Sequence, residues 1–414
     1  MSDQTLSLKQ HQIFIGDFLA LYSKYEHTSL QKGITIKSKR NIKHPFSYTI
    51  QLAKIEDAED ITLIIKDVYR GTYPYKELED VDEIKRMIED PDFTWVIFKK
   101  ESGENIACGG YHVDLESRSG TFHAFALKRE YHGQVNSVDA ALALMGAIFR
   151  QYKGTILHWS CEVVSNHDKS QHLLKHIGMI PIAFLPKKDV FFAREVSEFV
   201  YIIYDKDILK KYRSSKTPNL INRAIFSYFY AQQKFNLEVP NVHGLVTYDL
   251  ILDEHQLEEA RENLVTKIES CRFNKEIITI YNKKTKSYIR FLYRINIKSV
   301  EKAEYEVKTN EDLAVFLEHI KKFMKDNHIQ YFEAYVSAYD PSHQKIFYSS
   351  GFKPTGYIPC YKYDASENSF CDQIIFVSYT GKDLNNVKLV PDTINFLKTI
   401  RFYNKIKSLK LEPF

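Results

Sequence analysis

The segment LKREYHGQVNSVDAALA (127–143) carries the residue types that hold a phosphate. Gly133 stands between an apolar strand-like run and an apolar helix-like run, with Lys128 and Arg129 just upstream. Phosphate oxygens are bound by closely approaching backbone N–H groups, helped by the positive end of a following helix. Glycine permits both the approach and the dihedrals it needs. The same stretch also reads as an ordinary strand–turn–helix with Gly133 in the turn. Three residues within strand-like runs can exchange a proton: Asp114, His123 in GTFHAFAL, and Glu162 next to Cys161. A satisfied core histidine and a surface or capping carboxylate are the plainer readings of His123 and Glu162.

These residues sit in a chain that contains the same block twice. Residues 161–186 (CEVVSNHDKSQHLLKHIGMIPIAFLP) align without a gap to residues 334–359 (AYVSAYDPSHQKIFYSSGFKPTGYIP), at an offset of 173. Val163, Gln171, Gly178, Pro181 and Pro186 fall on Val336, Gln344, Gly351, Pro354 and Pro359, and apolar positions between them stay apolar. An internal repeat sets the domain plan before any local motif does.

Composition fits two soluble domains. A chain of 414 residues exceeds one typical core. A formal charge of +4 lacks the basic stripe of a dedicated nucleic-acid binder. The five cysteines are scattered, with no spacing that suggests zinc, and imply reduced thiols in a cytoplasmic protein with no metal. The start shows no basic region followed by an apolar run, and no stretch approaches a membrane span, so neither a signal peptide nor membrane association is expected.

Periodicity gives the elements. Residues 1–45 read as a helix (12–25) and a basic linker. Strand 48–53, helices 58–68 and 81–88, and strands 93–98, 106–114 and 120–127 follow. Helix 137–150, strand 156–164, helix 167–177 and strands 179–185 and 199–204 complete the unit. After a helical connection over 206–242, a strand is expected at 243–252 and a charged amphipathic helix at 254–270. A hairpin across KKTK (276–281 with 288–297), strand 302–308, helix 312–325, strand 330–337, helix 341–349 and strands 352–361 and 373–379 repeat the order. A terminal helix over 383–414 closes the chain.

This order resembles the GNAT superfamily of N-acetyltransferases. YTIQLAKIEDAEDITLII (48–65) looks like that family's first strand and helix, and SQHLLKHIGMIPIAFLP (170–186) like its last helix, Gly turn and strand. The likeness covers 47–205 well and 243–380 more faintly. It implies an α/β fold with a mixed sheet and two GNAT-like domains in tandem. The expected plan is an N-terminal extension (1–45), an acyl-CoA-binding domain (46–205), a linker (206–242), a degenerate copy (243–380) and a tail (381–414).

The resemblance further implies an acyl-CoA, with acetyl-CoA as co-substrate, and a primary amine as acceptor. Leu127, Lys128, Arg129, His132, Gly133, Gln134, Val135, Asn136 and Ser137 would form the pyrophosphate loop. Val135 stands where a second glycine is usual, and His132 where Arg or Gln is usual. The corresponding stretch of the second half, YEVKTNEDLA (305–314), has no glycine and starts its helix with Glu311 and Asp312. Those acids favour the helix but repel a phosphate, so that half is expected to hold no CoA.

The family's usual proton donor is a Tyr four residues before the Gly turn, and Leu174 and Phe347 stand there. Tyr131 and His167 are the substitutes, and Glu162 and His123 the candidate bases. The connection VYRGTYPYKELED (68–80) is expected to line the acceptor pocket, with Tyr73, Tyr75 and Glu79 in contact. The second domain would complete that cleft or form a homodimer. The rival reading is a non-catalytic pseudo-acetyltransferase that binds a ligand or a protein partner.

Overall fold

A computed structural model describes residues 14–245, 250–381 and 387–402. The first half opens with helix α1 (Ile15–Leu21), a 3-10 turn, and strands β1 (Ile34–Lys37) and β2 (Ser47–Leu52). Helices α2 (Ala58–Tyr69) and α3 (Val81–Glu89) lead into the meander β3 (Phe93–Lys100), β4 (Asn105–Asp114) and β5 (Ser119–Leu127). Then come α4 (Ser137–Gln151), β6 (His158–Val164), α5 (Lys169–Ile177), β7 (Ile180–Phe191) and β8 (Arg194–Tyr204). The connection holds β9 (Asn219–Ile221), α6 (Ile225–Phe235) and β10 (Asn241–His243). The second half has α7 (Glu254–Glu262) and four strands, β11 (Leu264–Cys271), β12 (Lys275–Asn282), β13 (Tyr288–Arg294) and β14 (Ser299–Glu306). It ends with α8 (Asn310–Asp326), β15 (Tyr331–Ser337), α9 (Pro341–Ser349), β16 (Lys353–Asp364), β17 (Ser369–Tyr379) and α10 (Pro391–Thr399).

The fold is mixed α/β, built on one 15-stranded sheet in the order β1-β2-β3-β4-β5-β6-β8-β7-β16-β17-β15-β14-β13-β12-β11. Pairing in it is antiparallel except at β5–β6 and β14–β15. From β2 inward, the first half runs in the pattern that the second half repeats from β11 inward, and β7 and β16 meet at the centre. The irregularities repeat as well. Gly178 and Gly351, one repeat apart, both take positive φ after their helices (88° and 95°). Register slips at Pro181/Ala183 and Leu185/Asp189 recur at Pro354/Gly356 and Ile358/Lys362. Within the larger slip, Lys187 and Cys360 share a positive φ (58° and 51°).

The glutamine found at matched positions of the two halves has a job. Gln171 donates to Lys388 O (2.9 Å) and accepts from Val390 N (3.3 Å), while Lys388 N donates to Ser165 O. Gln344 likewise donates to Asn219 O (2.8 Å) and accepts from Ile221 N (3.0 Å), while Asn219 N donates to Ala338 O. The segment that follows each half therefore straps onto the other half. A buried glutamine is suited to this, because it offers a passing backbone both a donor and an acceptor.

Five expectations are corrected. The basic linker contains the edge strand β1, whose ITIK alternates buried and exposed and pairs with β2. The strand expected at 243–252 is not formed there: β10 ends at His243, residues 246–249 lie outside the described residues, and Ile251 and Leu252 are irregular. The helix expected over 254–270 stops at Glu262, because LVTKIESC holds β-branched residues that pair with β12 instead. The connection over 206–242 holds a short π-helical segment (Ile208–Tyr212), one α-helix and two short strands, and the terminal helix is confined to α10 among the described residues.

The two central strands touch by backbone at a single register pair, Gly356 with Ala183. A Cβ at Gly356 would lie 2.2 Å from Ala183 Cβ and 2.8 Å from Ile182 O, so the seam admits no side chain there. Gly356→Val is expected to lower unfolding stability by about 1–3 kcal/mol, the usual cost of overpacking. Gly16→Ala, at a position whose Cβ meets nothing within 4 Å, serves as the control. Equal urea midpoints for the two variants would contradict this role of the seam.

Candidate active site

Strand β5 carries a bulge. Its register with β4 slips between Cys108/Ala126 and Gly110/His123, and Ala124 takes φ 52°. Pairing with β6 runs from Ser119↔His158 to Phe122↔Cys161 and stops there. Past that point the two strands part, and the β5 edge facing β6 has no strand partner. Bulges re-aim a strand in this way beside functional sites. The second half has the same device in β14, where Lys302 takes φ 49° and pairing with β15 ends at Ala303↔Ala334.

His123 lies at the first gap, edge-on to Trp95 and Phe93 (ring centroids 5.5 and 5.7 Å). Its Nε2 is buried without a partner. Gly110 makes room for the ring, since a Cβ there would sit 2.4 Å from that nitrogen. Burial pushes the imidazole down to about 4, with His112 and Lys302 adding to the shift. His123 is therefore neutral at pH 7.

Glu162 is the first β6 residue past the pairing, and its carboxylate, 27% exposed, meets Lys188 Nζ at 2.6 Å. Lys188 is 1% exposed and also lies 3.8 Å from the fully buried Glu333, which accepts from Tyr331 OH and from Lys302 N. Burial opposes the ammonium charge, but Glu162 and Glu333 outweigh it and hold Lys188 well above the usual range. Asp189 and Glu198 complete the first half's share, and Glu301 and Arg294 the second's. Arg294 pairs with Glu301 (3.2 Å) and with Glu77 (2.9 Å), which also meets Lys275. Burial, then Glu301, pushes Asp189 up to about 7, and burial raises Glu198 and Glu333. Lys302 is exposed yet crowded by protein: burial opposes its charge, and Tyr361 and Glu162 reverse the effect.

The connection between α2 and α3 reaches this seam. Tyr75 OH donates to Asp189 (3.1 Å) and lies 3.4 Å from Glu301, and Arg294 stacks on its ring at 4.5 Å. Tyr73 stays among Tyr69, Tyr75 and Phe191. Glu79 turns back, accepting from Tyr73 N and Lys76 Nζ, and so shapes the loop.

The loop over 127–137 departs from a phosphate cradle. Gln134 N and Val135 N both donate to Tyr131 O, and Val135 is buried. Lys128 is held by Glu104 (3.1 Å), and Arg129 by Asp67 through side chain and backbone. Tyr131 OH donates to Glu104 and accepts from Lys100; burial and the Glu104 carboxylate raise the phenol above its usual range, against the pull of Lys100. His132 Nε2 contacts Leu127 O, and Gln134 bonds Glu130 O. Asn136 caps α4, while Asp139 in the first turn is held by Asn136, Tyr25 and Lys24. Gly133 has φ 82° and open space beside it. The glycine conformation suits a phosphate, but Lys128 and Arg129 are already paired with carboxylates of other elements.

His167, in the turn after β6, is neutral through burial, and its Nδ1 and the neighbouring Asn166 Oδ1 are buried without partners. Leu174 and Phe347 are core residues. Asp114 accepts from Ser117 N in the β4–β5 turn. Lys188, Asp189, Glu198, Arg294, Glu301, Lys302 and Glu333 escaped the sequence reading. Their one visible signal is a charged pair, Lys188-Asp189, inside the apolar run FLPKKDVFF. Among the described residues no group of three or more His, Cys, Asp or Glu is placed to hold a metal ion, and no helix is long and apolar enough to cross a membrane.

No family model matches the chain, and no curated protein matches it. Solved structures do resemble part of it. A spermidine N-acetyltransferase SpeG mutant from Vibrio cholerae is 15% identical with a TM-score of 0.33, covering 39% of this chain and 95% of its own. A chimera of that enzyme with hSSAT is 17% identical with a TM-score of 0.33, covering 40% and 99%. The microcin C7 self-immunity acetyltransferase MccE, in complex with acetyl-CoA and AMP, is 12% identical with a TM-score of 0.31, covering 38% and 92%.

His158, at the foot of β6, yields a pH prediction. It is 2% exposed, both ring nitrogens lack partners, and burial pushes it from 6.5 down to about 4. The unfolded chain thus takes the proton first as pH falls. The stability that His158 contributes is complete above pH 6.5 and is lost between 6.5 and 4. Between pH 7 and 4 the parent should lose about 3 kcal/mol more than His158→Phe. Parallel losses in the two proteins would contradict the buried neutral state.

Proposed function

We propose that this chain is an N-acyltransferase of GNAT type that moves an acyl group from a thioester to a primary amine. The first half is the working copy and the second a degenerate duplicate that walls the acceptor cleft. The observation that carries this reading is the parting of β5 from β6 at the Ala124 bulge, with Glu162 at the throat of the gap. Support for a duplicate comes from the matched bulges, slips and glutamine straps. In the second half the positions of Glu162 and Lys188 hold Tyr335 and Tyr361, stacked at 4.7 Å. Past its last pair with β15, Tyr305 turns onto His343 (3.3 Å) and Phe347.

In this reading the acyl carbonyl lies along the unpaired β5 edge, where a strand N–H polarises its oxygen. The charged amine gives a proton to Glu162, directly or through water. Its lone pair forms the C–N bond as the C–S bond breaks; the nitrogen then loses its second proton to solvent, and the thiolate takes one up. Leu174 cannot supply that proton. Tyr131 already donates to Glu104 and His167 is neutral, so solvent is the principal source. A thiol with a pKa of about 8.5 is a tolerable leaving group, and turnover is slow, not absent.

The acceptor is an organic cation with more than one charge. Six seam acids (Glu77, Glu162, Asp189, Glu198, Glu301, Glu333) face four bases (Lys188, Lys275, Arg294, Lys302), and burial shifts Asp189, Glu198 and Glu333 toward their neutral forms, so the seam is short of cations for these carboxylates. Asp189 Oδ1 and Glu77 Oε2 are buried without partners. An ammonium group at the far end of the acceptor answers that deficit. The neutralised loop favours a second reading, a non-catalytic ligand-binding module, and turnover decides between them. With a thioester donor, a linear diamine should be acylated at least tenfold more efficiently than the monoamine of equal length. Glu162→Gln should lower kcat by roughly 10²–10⁴-fold. Absence of any amide product from either amine would overturn the enzymatic reading.

A further inference from the structure

The two ends of the long sheet differ. At one end β1 is four residues long, with Ile34 and Ile36 buried. At the other end β11 is eight residues long, and Lys267, Ile268, Glu269, Ser270 and Cys271 are all exposed. Among the described residues no strand pairs with its outer edge. A long edge strand presents a row of free N–H and C=O groups, and it templates another strand unless its side chains forbid the approach.

The register decides which groups are free. β11 pairs with β12 from Leu264↔Asn282 to Cys271↔Lys275, and the ladder extends to Asn263, whose carbonyl accepts from Lys283 N (3.0 Å). Antiparallel pairs alternate between those that exchange backbone bonds and those that do not. The odd-numbered residues of β11 therefore bond β12, while Leu264, Thr266, Ile268 and Ser270 turn their backbone groups outward. Side chains alternate as well. Thr266 Oγ1 lies 3.0 Å from His319 Nε2 of α8, so Thr266, Ile268 and Ser270 share the α8 face. Lys267 and Glu269 lie on the opposite face and meet each other at 2.8 Å.

Two copies of this edge can bond about a twofold axis only if outward residues meet outward residues. The registers centred on Lys267, Ile268 and Glu269 satisfy this and keep most of the strand paired. Centring on Lys267 sets that lysine against its own copy, and centring on Glu269 does the same to the glutamate. Like charges directly opposite are destabilising. Centring on Ile268 instead sets Lys267 of each copy against Glu269 of the other, at the non-bonded pairs where side chains come closest. Thr266 then faces Ser270, and Ile268, 52% exposed in the single chain, meets itself.

We infer that β11 joins β11 of a second copy in this register, so that the sheet runs unbroken through a twofold dimer. The contact is isologous and closes on itself. Backbone bonds and the Ile268 contact supply the adhesion, and the alternating ring of two lysines and two glutamates chooses the register. Dimerisation of this kind is independent of acyl transfer.

The test is sedimentation equilibrium of the full chain at up to about 100 µM, where the parent is expected to be a dimer. Lys267→Glu and Glu269→Lys each set like charges opposite and should weaken association at least about tenfold. The double exchange Lys267→Glu/Glu269→Lys should return the dissociation constant to within about threefold of the parent, because the opposite charges are restored. Equimolar mixing of the two single variants should give a heterodimer. Ile268→Pro removes an outward N–H, leaves the bonds to β12 in place and should also weaken association at least about tenfold. A parent that stays monomeric, or an oligomer that neither single reversal weakens, would overturn the inference. Weakening without recovery in the double exchange and the mixture would overturn it as well.

Discussion

One ammonium group organises the centre of the molecule. Lys188 is almost wholly buried between Glu162 of one half and Glu333 of the other. Taking a charge out of water costs several kcal/mol, and only close opposite charges repay it. Lys188 is therefore satisfied only if both half-sheets are in place. It points inward because the β7 chain slips register at Leu185/Asp189, with Lys187 in the left-handed region. The same ion pair fixes Glu162 at the mouth of the β5–β6 gap. Seam stability and site geometry thus depend on a single contact.

The rest of the architecture serves that seam. β7 and β16 touch by backbone at one pair, where only glycine fits. The halves are otherwise held by side chains and by the two reciprocal straps. Tyr204 OH donates to Pro359 O, and Tyr201 bonds Thr393, so β8, beside the central strand of the first half, reaches elements of the second half and of the segment after it. A second buried pair, Arg213 with Asp372, fastens the connection to β17 and is completed by Tyr357 and Cys360 N. One cluster of buried apolar side chains runs through both halves. Unequal chemistry on an equal frame follows: the first half keeps an ion pair at the position where the second stacks two tyrosines.

The order of elements and the offset of the repeat were legible because period and turn residues depend on local sequence. Gly178 and Gly351 mark two helix ends, and the strands after them begin in register. Gln171 and Gln344 were visible as identities, but their purpose depends on segments far away in the chain. The misreading of 254–270 arose where a charged helix passes into LVTKIESC, whose strand character is set by pairing with β12. The loop at 127–137 was read from its glycine and its cations alone. Asp67 and Glu104, which neutralise it, come from other elements and leave no local signal. The seam charges were hidden for the same reason. Glu162 was singled out by its place on a strand, whereas Glu333 and Lys188 acquire meaning only when β7 and β15 are brought together.

The most direct test is a crystal structure of the protein with a stable conjugate of CoA and a linear diamine, joined through an acetyl bridge that cannot be cleaved. The account predicts the bridge carbonyl beside the β5 backbone at Ala124, in the gap between β5 and β6, and the diamine running past Glu162 into the seam. A conjugate bound elsewhere, or a gap between β5 and β6 filled by the protein's own side chains in the complex, would contradict it.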